Sequence, residues 1–187
     1  MSAFQRIIIF DSPDGTGKTS IAKALSTSIN IPYFKYDGEH DYWREKKFKT
    51  ALEFDQQFML QYLKQTGADI IWDRAWPAEW VYSSVFERET NHEVLNFLDK
   101  QYARLGAWII IPMRHDYSQS QADAVIPHNK LQEIHEAYDV FCNWTKCNTL
   151  RIYVDTFANN LEKELFAIKE TVKFPTPYKQ TITLEAK

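Results

Sequence analysis

The sequence predicts a three-layer α/β/α fold, with one parallel sheet held between two layers of helices. Short apolar runs alternate with amphipathic helical segments from one end of the chain to about residue 170, the pattern of successive β–α–β units. The first run, Ile7–Phe10, is continuously apolar and bounded by turn residues, as a strand buried on both faces must be. It passes directly into a glycine-bearing loop that opens a helix. At 187 residues and 44% hydrophobic content, the chain is sized for a single domain, with residues 172–187 as a C-terminal extension.

Each element has its own signal. The helix after the loop carries Ile21, Leu25 and Ile29 on one face. Tyr33–Tyr36 follows Pro32 as a short second strand. Thr50 and Glu53 have capping-box spacing and open a helix with Leu52, Phe58, Met59, Tyr62 and Leu63 inward, ended by Gly67. Asp69–Trp72 is the third strand. A helix beginning near Pro77 presents Trp80, Val81, Ser84 and Val85 to the core. Thr90 and Glu93 repeat the capping-box spacing before Leu95, Leu98, Tyr102 and Leu105. Ala107–Ile111 is the fourth strand, and residues 113–128 lack periodicity and read as a loop. Asn129 then caps a helix with Leu131, Ile134, Tyr138 and Phe141 inward. Leu150–Val154 is the fifth strand, and Asn159 caps a last helix with Leu161, Leu165 and Ile168. The tail from Phe174, with Pro175 and Pro177, fits either a loose extension or an added edge strand.

The loop is the first chemical signal. Asp11-Ser12-Pro13-Asp14-Gly15-Thr16-Gly17-Lys18-Thr19 lies between strand and helix, where backbone N–H groups and a helix N-terminus converge on one anion. The pattern is G-x-x-x-x-G-K-[ST], with Ser12 in place of its first glycine. Residues Asp14 to Ser20 (Asp14, Gly15, Thr16, Gly17, Lys18, Thr19 and Ser20) are therefore the expected nucleoside triphosphate cradle. Lys18 would meet the outer phosphates and the Thr19 hydroxyl would ligate Mg²⁺.

The second signal lies at other strand ends. In open α/β sheets ligands sit beyond the carboxyl ends of the strands, where Asp11, Asp73, Arg74 and Arg114 also fall. Asp73 can hold Mg²⁺ or its waters, and Arg74 can grip a second phosphate through two parallel hydrogen bonds.

With the loop near the N-terminus and Ile70-Ile71-Trp72-Asp73-Arg74 midway, the chain resembles the thymidylate kinase branch of the P-loop nucleoside and nucleotide kinases. More narrowly, it is similar to short phage-type members, in which the Asp-Arg precedes an aromatic-rich helix, here holding Trp80-Val81-Tyr82. The resemblance implies a P-loop NTPase fold with a five-stranded parallel core, ATP and Mg²⁺ as cofactors, and a homodimer. It implies transfer of the γ-phosphoryl group to a deoxynucleoside monophosphate. Arg74 would then clamp the acceptor phosphate, Asp73 would assist at the metal, and Asp14 would lie near the acceptor's 3′-hydroxyl. Asp11 matches a carboxylate that nucleoside kinases use as a general base. The family's lid is rich in arginine, whereas Met113–His128 holds only Arg114, so either Arg114 serves or Arg44 or Arg88 reaches in. The base would be read from the helix at 50–66 and the region after Arg74. Phe48, Phe54, Phe58, Trp76 and Tyr82 offer faces there, and Gln57 or Gln61 an edge. The arginine that thymidylate kinases place on that helix has no counterpart.

Composition narrows the alternatives. A net charge of −3 argues against a broad basic face for duplex nucleic acid. The rings and cations of Tyr42–Lys49 suit a solvated helix better than a single-strand site. Cys142 and Cys147 lack metal-knuckle spacing and read as unbridged thiols of a reducing cytosol, and the histidines show no ligand spacing. The run at residues 7–10 is too short for a signal peptide, and no segment approaches a membrane span, so a cytoplasmic protein is expected. Two further readings stay open: a kinase directed at a hydroxyl of a deoxynucleoside or DNA, and a nucleotide-binding module without turnover.

Overall fold

The computed structural model describes residues 5–35, 51–117, 126, 128–154, 157–172 and 181–184. Strands β1 (Ile7–Phe10), β2 (Tyr33–Lys35), β3 (Ile70–Asp73), β4 (Trp108–Met113), β5 (Asn148–Tyr153) and β6 (Thr181–Leu184) form one sheet in the order β2-β3-β1-β4-β5-β6. Every pairing is parallel. The sixth strand resolves the open reading of the tail and corrects the count of five. Its register sets Thr149 against Thr181 and Ile152 against Leu184 at the sheet edge.

Strand alternation explains the unbroken apolar runs. Ile7 and Ile9 enter one core and Ile8 and Phe10 the other, so both faces of β1 must be apolar. Helix α1 (Lys18–Ile29) and helix α6 (Phe157–Thr171) cover the second face. The first face is covered by α2 (51–66), α3 (Trp76–Val85), α4 (His92–Arg104) and α5 (His128–Trp144). Helix α2 is continuous from Ala51–Phe54 through a π-helical stretch, Asp55–Met59, to Leu60–Thr66.

That π-helical stretch corrects the expected inner face of α2. An inserted residue rotates everything beyond it by about one position. Phe54, Asp55, Met59, Leu60 and Leu63 turn inward with Leu52, while Phe58 and Tyr62 are exposed and stack outward from Phe54. Gly67 ends α2 in a left-handed conformation, as expected. On α3, Trp80 packs on Phe141 and Trp144 of α5, and Ser84 faces solvent rather than the core.

Asn91 rather than Thr90 caps α4, its side chain accepting from Val94 N at 3.1 Å. Helix α6 begins two residues before Asn159, and α5 one before Asn129. Strands β3 and β4 start one residue later than expected, β5 two earlier, and each is displaced or longer at its other end. Thr50, Tyr36, Arg44, Phe48 and the Tyr42–Lys49 stretch lie outside the described residues, as does most of 113–128. Cys142 and Cys147 are buried and form no disulfide. Among the described residues no helix is long and apolar enough to cross a membrane.

Candidate active site

The loop after β1 takes its shape from two left-handed glycines, Gly15 (φ 77°) and Gly17 (φ 74°). Ser12 needs no such freedom, since its φ is not positive. Its hydroxyl instead lies 2.6 Å from Thr16 Oγ1, which donates to Pro13 O at 3.1 Å. The departure from the glycine pattern is thus a hydroxyl staple across the base of the loop. Gly17 caps α1 without a side chain, leaving first-turn N–H groups directed at the loop's concavity.

Four side chains, Asp14, Lys18, Arg74 and Tyr82, converge beside it. Asp14 holds the Arg74 guanidinium on Oδ1, the same oxygen that lies 3.7 Å from Lys18 Nζ. Tyr82 donates to Asp14 Oδ2 at 3.2 Å, and the Arg74 guanidinium lies 5.7 Å from the centre of the Tyr82 ring. Burial pulls the Lys18 ammonium below its ordinary value and pushes the Tyr82 phenol up to about 12. Arg74 is itself left-handed (φ 65°), and its N–H is fixed on Phe10 O at 2.9 Å. The backbone thereby turns sharply off β3 and carries the side chain back over the loop.

Thr19 and Asp73, the two residues of the metal reading, lie side by side. Thr19 Oγ1 donates to Asp73 Oδ2 at 2.6 Å, and Tyr33 donates to the same oxygen at 2.8 Å. Asp73 Oδ1 is buried with no hydrogen-bond partner among the described residues. One carboxylate oxygen to spare beside a hydroxyl, at a phosphate cradle, fits a hydrated Mg²⁺, which takes few protein ligands. Among the described residues no group of three or more His, Cys, Asp or Glu side chains makes a denser metal cage.

The remaining candidates are placed differently. Asp11 is fully buried beneath the loop and accepts from Tyr138 Oη at 2.6 Å. Burial raises its carboxyl above the ordinary value, against the opposing pull of Tyr138, Arg74 and Lys18. Arg114 follows β4, with its N–H 3.3 Å from Tyr117 Oη and its Nε buried, and it does not line the cleft. Ser20 is exposed on α1. Phe54 is closed into the core against Phe34, and Gln57 is exposed on the outer side of α2. Neither reaches the cleft.

The cleft has a volume of about 820 Å³. Lys18, Arg74 and Arg88, all sequence candidates, line it together with Lys35, which was not one. Lys35 was legible in principle, because it ends β2 at the same sheet edge that singled out Asp73. Its charge is near enough to Lys18 to lower that ammonium further.

Solved structures share this chain path. The YorR protein from Bacillus subtilis, solved in complex with phosphorylated GDP, has a TM-score of 0.62 at 20% identity, covering 89% of this chain and 95% of its own. The fold is that of the P-loop kinases. Two further structures with the P-loop kinase fold are similar. Thymidylate kinase from Ehrlichia chaffeensis has a TM-score of 0.58 at 12% identity, over 90% of this chain and 99% of that one. Deoxyadenosine kinase from M. mycoides with bound dATP has a TM-score of 0.54 at 16% identity, over 90% and 100%. No protein-family description and no curated protein matches the chain.

Proposed function

We propose that this chain is a phosphotransferase that moves the γ-phosphoryl group of Mg-ATP to a deoxynucleoside monophosphate. The observation that carries this reading is the convergence of Lys18, Lys35 and Arg74 on one cleft beside an uncapped helix N-terminus. Bringing two polyanions into contact demands more positive charge than a single phosphate loop provides. In this reading the loop amides and Lys18 hold the donor phosphates, and Arg74 with Lys35 holds the acceptor phosphate. Asp14 keeps Lys18 and Arg74 at a common point, so the two phosphate sites are set at a fixed spacing. Thr19 and Asp73 would hold Mg²⁺, which neutralises charge on the donor phosphates when bound.

An ionised acceptor phosphate needs no general base, which agrees with Asp11 being closed beneath the loop on Tyr138. The same burial counts against the hydroxyl-directed reading, since that carboxylate does not line the cleft. ATP consumption with Mg²⁺ is to be measured against four deoxynucleoside monophosphates, the matching nucleosides and single-stranded DNA. Turnover with a monophosphate is expected. Turnover confined to nucleosides or DNA would overturn the acceptor class, and ATP binding without any turnover would favour the inactive module.

A further inference from the structure

The cleft has two chemically distinct ends. One is the phosphate end described above. At the other, Tyr82 and Phe86 stand one helical turn apart with ring centroids 6.1 Å apart and planes inclined by 22°. Ile126 closes on the same space. The Tyr82 ring already carries the Arg74 guanidinium and the Phe86 ring against it, so the flat face left for a ligand is that of the half-buried Phe86.

Helix α3 ends in a way that delivers a cation to this spot. Phe86 N–H bonds Tyr82 O at 3.0 Å, and Arg88 N–H reaches back to Ser83 O at 2.9 Å. Between them Glu87 is left-handed (φ 49°), a conformation that favours glycine. The turn brings Arg88 into the cleft lining, with Nη2 3.7 Å from Glu79 Oε2. Left-handed non-glycine residues therefore bracket α3, Arg74 before it and Glu87 after it, and an arginine enters the cleft at each end. Backbone strain of this kind persists where a site requires the geometry.

We propose that Phe86 and Arg88 form the base-binding end of the acceptor site, Phe86 stacking on a planar nucleobase and Arg88 meeting its edge. The inference rests on the monophosphate reading above. A nucleobase has a face that stacks on any aromatic ring and an edge rich in acceptors. A guanidinium carries donors and no acceptor, so it complements that edge. Of the two places the sequence offered for base recognition, this assignment drops α2 with Phe54 and Gln57 and keeps the region after Arg74, at the C-terminal end of α3.

The test is steady-state kinetics on the full chain, with the monophosphate that turns over fastest. Loss of the stacking face in Phe86→Leu, which keeps apolar volume, is expected to raise the acceptor KM roughly five- to 100-fold with the ATP KM unchanged. Phe86→Tyr keeps the flat face and is expected to restore it. Arg88→Gln, at an exposed position, is expected to raise the acceptor KM as well. Circular dichroism and melting confirm that each variant is folded. An unchanged acceptor KM in folded Phe86→Leu and Arg88→Gln would overturn the inference. A rise in the ATP KM instead would give this end of the cleft to the donor's adenine and also overturn it. Failure of the unmodified chain to turn over any monophosphate would sink the monophosphate reading, and this assignment with it.

Discussion

Arg74 is held from three directions at once: its backbone N–H on Phe10 O, its guanidinium on Asp14, and the Tyr82 ring beneath it. A side chain fixed that firmly acts by position as well as charge. Arg74→Ala is expected to lower kcat/KM for the acceptor by about 10²–10³. ATP affinity, measured by calorimetry, should stay within about threefold; its collapse would place Arg74 on the donor side. Lys18→Ala should instead weaken ATP and slow turnover together, because the proposed reading has Lys18 hold the donor phosphates. At Ser12, loss of the hydroxyl in Ser12→Ala should cost about 1 kcal/mol in urea denaturation while ATP still binds. The sequence singled out Lys18, Thr19, Asp73 and Arg74 because motif spacing and strand ends are local properties. Why a serine suits position 12, and that Tyr138 would lie under Asp11, depend on contacts that sequence spacing does not express.

Among the elements, α2 shows how one carboxylate shapes the site from a distance. Asp55 opens the π-helical stretch and is fully buried. It accepts from Tyr102 Oη of α4 at 2.5 Å and from Trp76 N–H at the start of α3 at 3.3 Å. Burial pushes its carboxyl up to about 7, outweighing those two hydrogen bonds. The folded chain therefore holds this proton more tightly than the unfolded chain does. The resulting stability is full below about pH 4 and is lost as the pH rises through 7. Asp55→Asn cannot ionise, and its amide can serve both partners. Relative to Asp55, it is expected to gain stability from pH 4 to pH 8, by a few kcal/mol at most, read by urea denaturation at each pH. A constant difference across that range would show that Asp55 does not titrate there. The sequence did give α2 its existence and its Gly67 stop. It could not reveal the extra residue in the helix, because 3.6-residue periodicity assumes an unbroken ladder, and so Phe58 and Tyr62 were assigned inward. The cap at Asn91 was missed for a simpler reason: Thr90 and Asn91 are both good caps, and only the backbone chooses.

For the whole molecule, layer order was readable in the alternation of strands and helices, and the four apolar residues of β1 announced a central strand. The edge strand β6 was not, because its Thr181-Ile182-Thr183-Leu184 alternation is short and only half buried. It is joined to β5 by contacts as modest as Thr149 Oγ1 to Thr181 Oγ1 at 3.2 Å. The position of β1 between β3 and β4 also bears on biogenesis. Ile7–Phe10 emerges from the ribosome well before its partners, residues 70–73 and 108–110. This wholly apolar strand must wait, unpaired, while most of the sheet is still being synthesised, and parallel pairing at such separations forms slowly. Recovery after dilution from denaturant should therefore fall as protein concentration rises, through aggregation of chains whose β1 has not yet paired. A yield independent of concentration would show that an early α1 shelters it. In the cell, the interval between residues 10 and 110 is the window in which a nascent-chain chaperone would matter most for this fold.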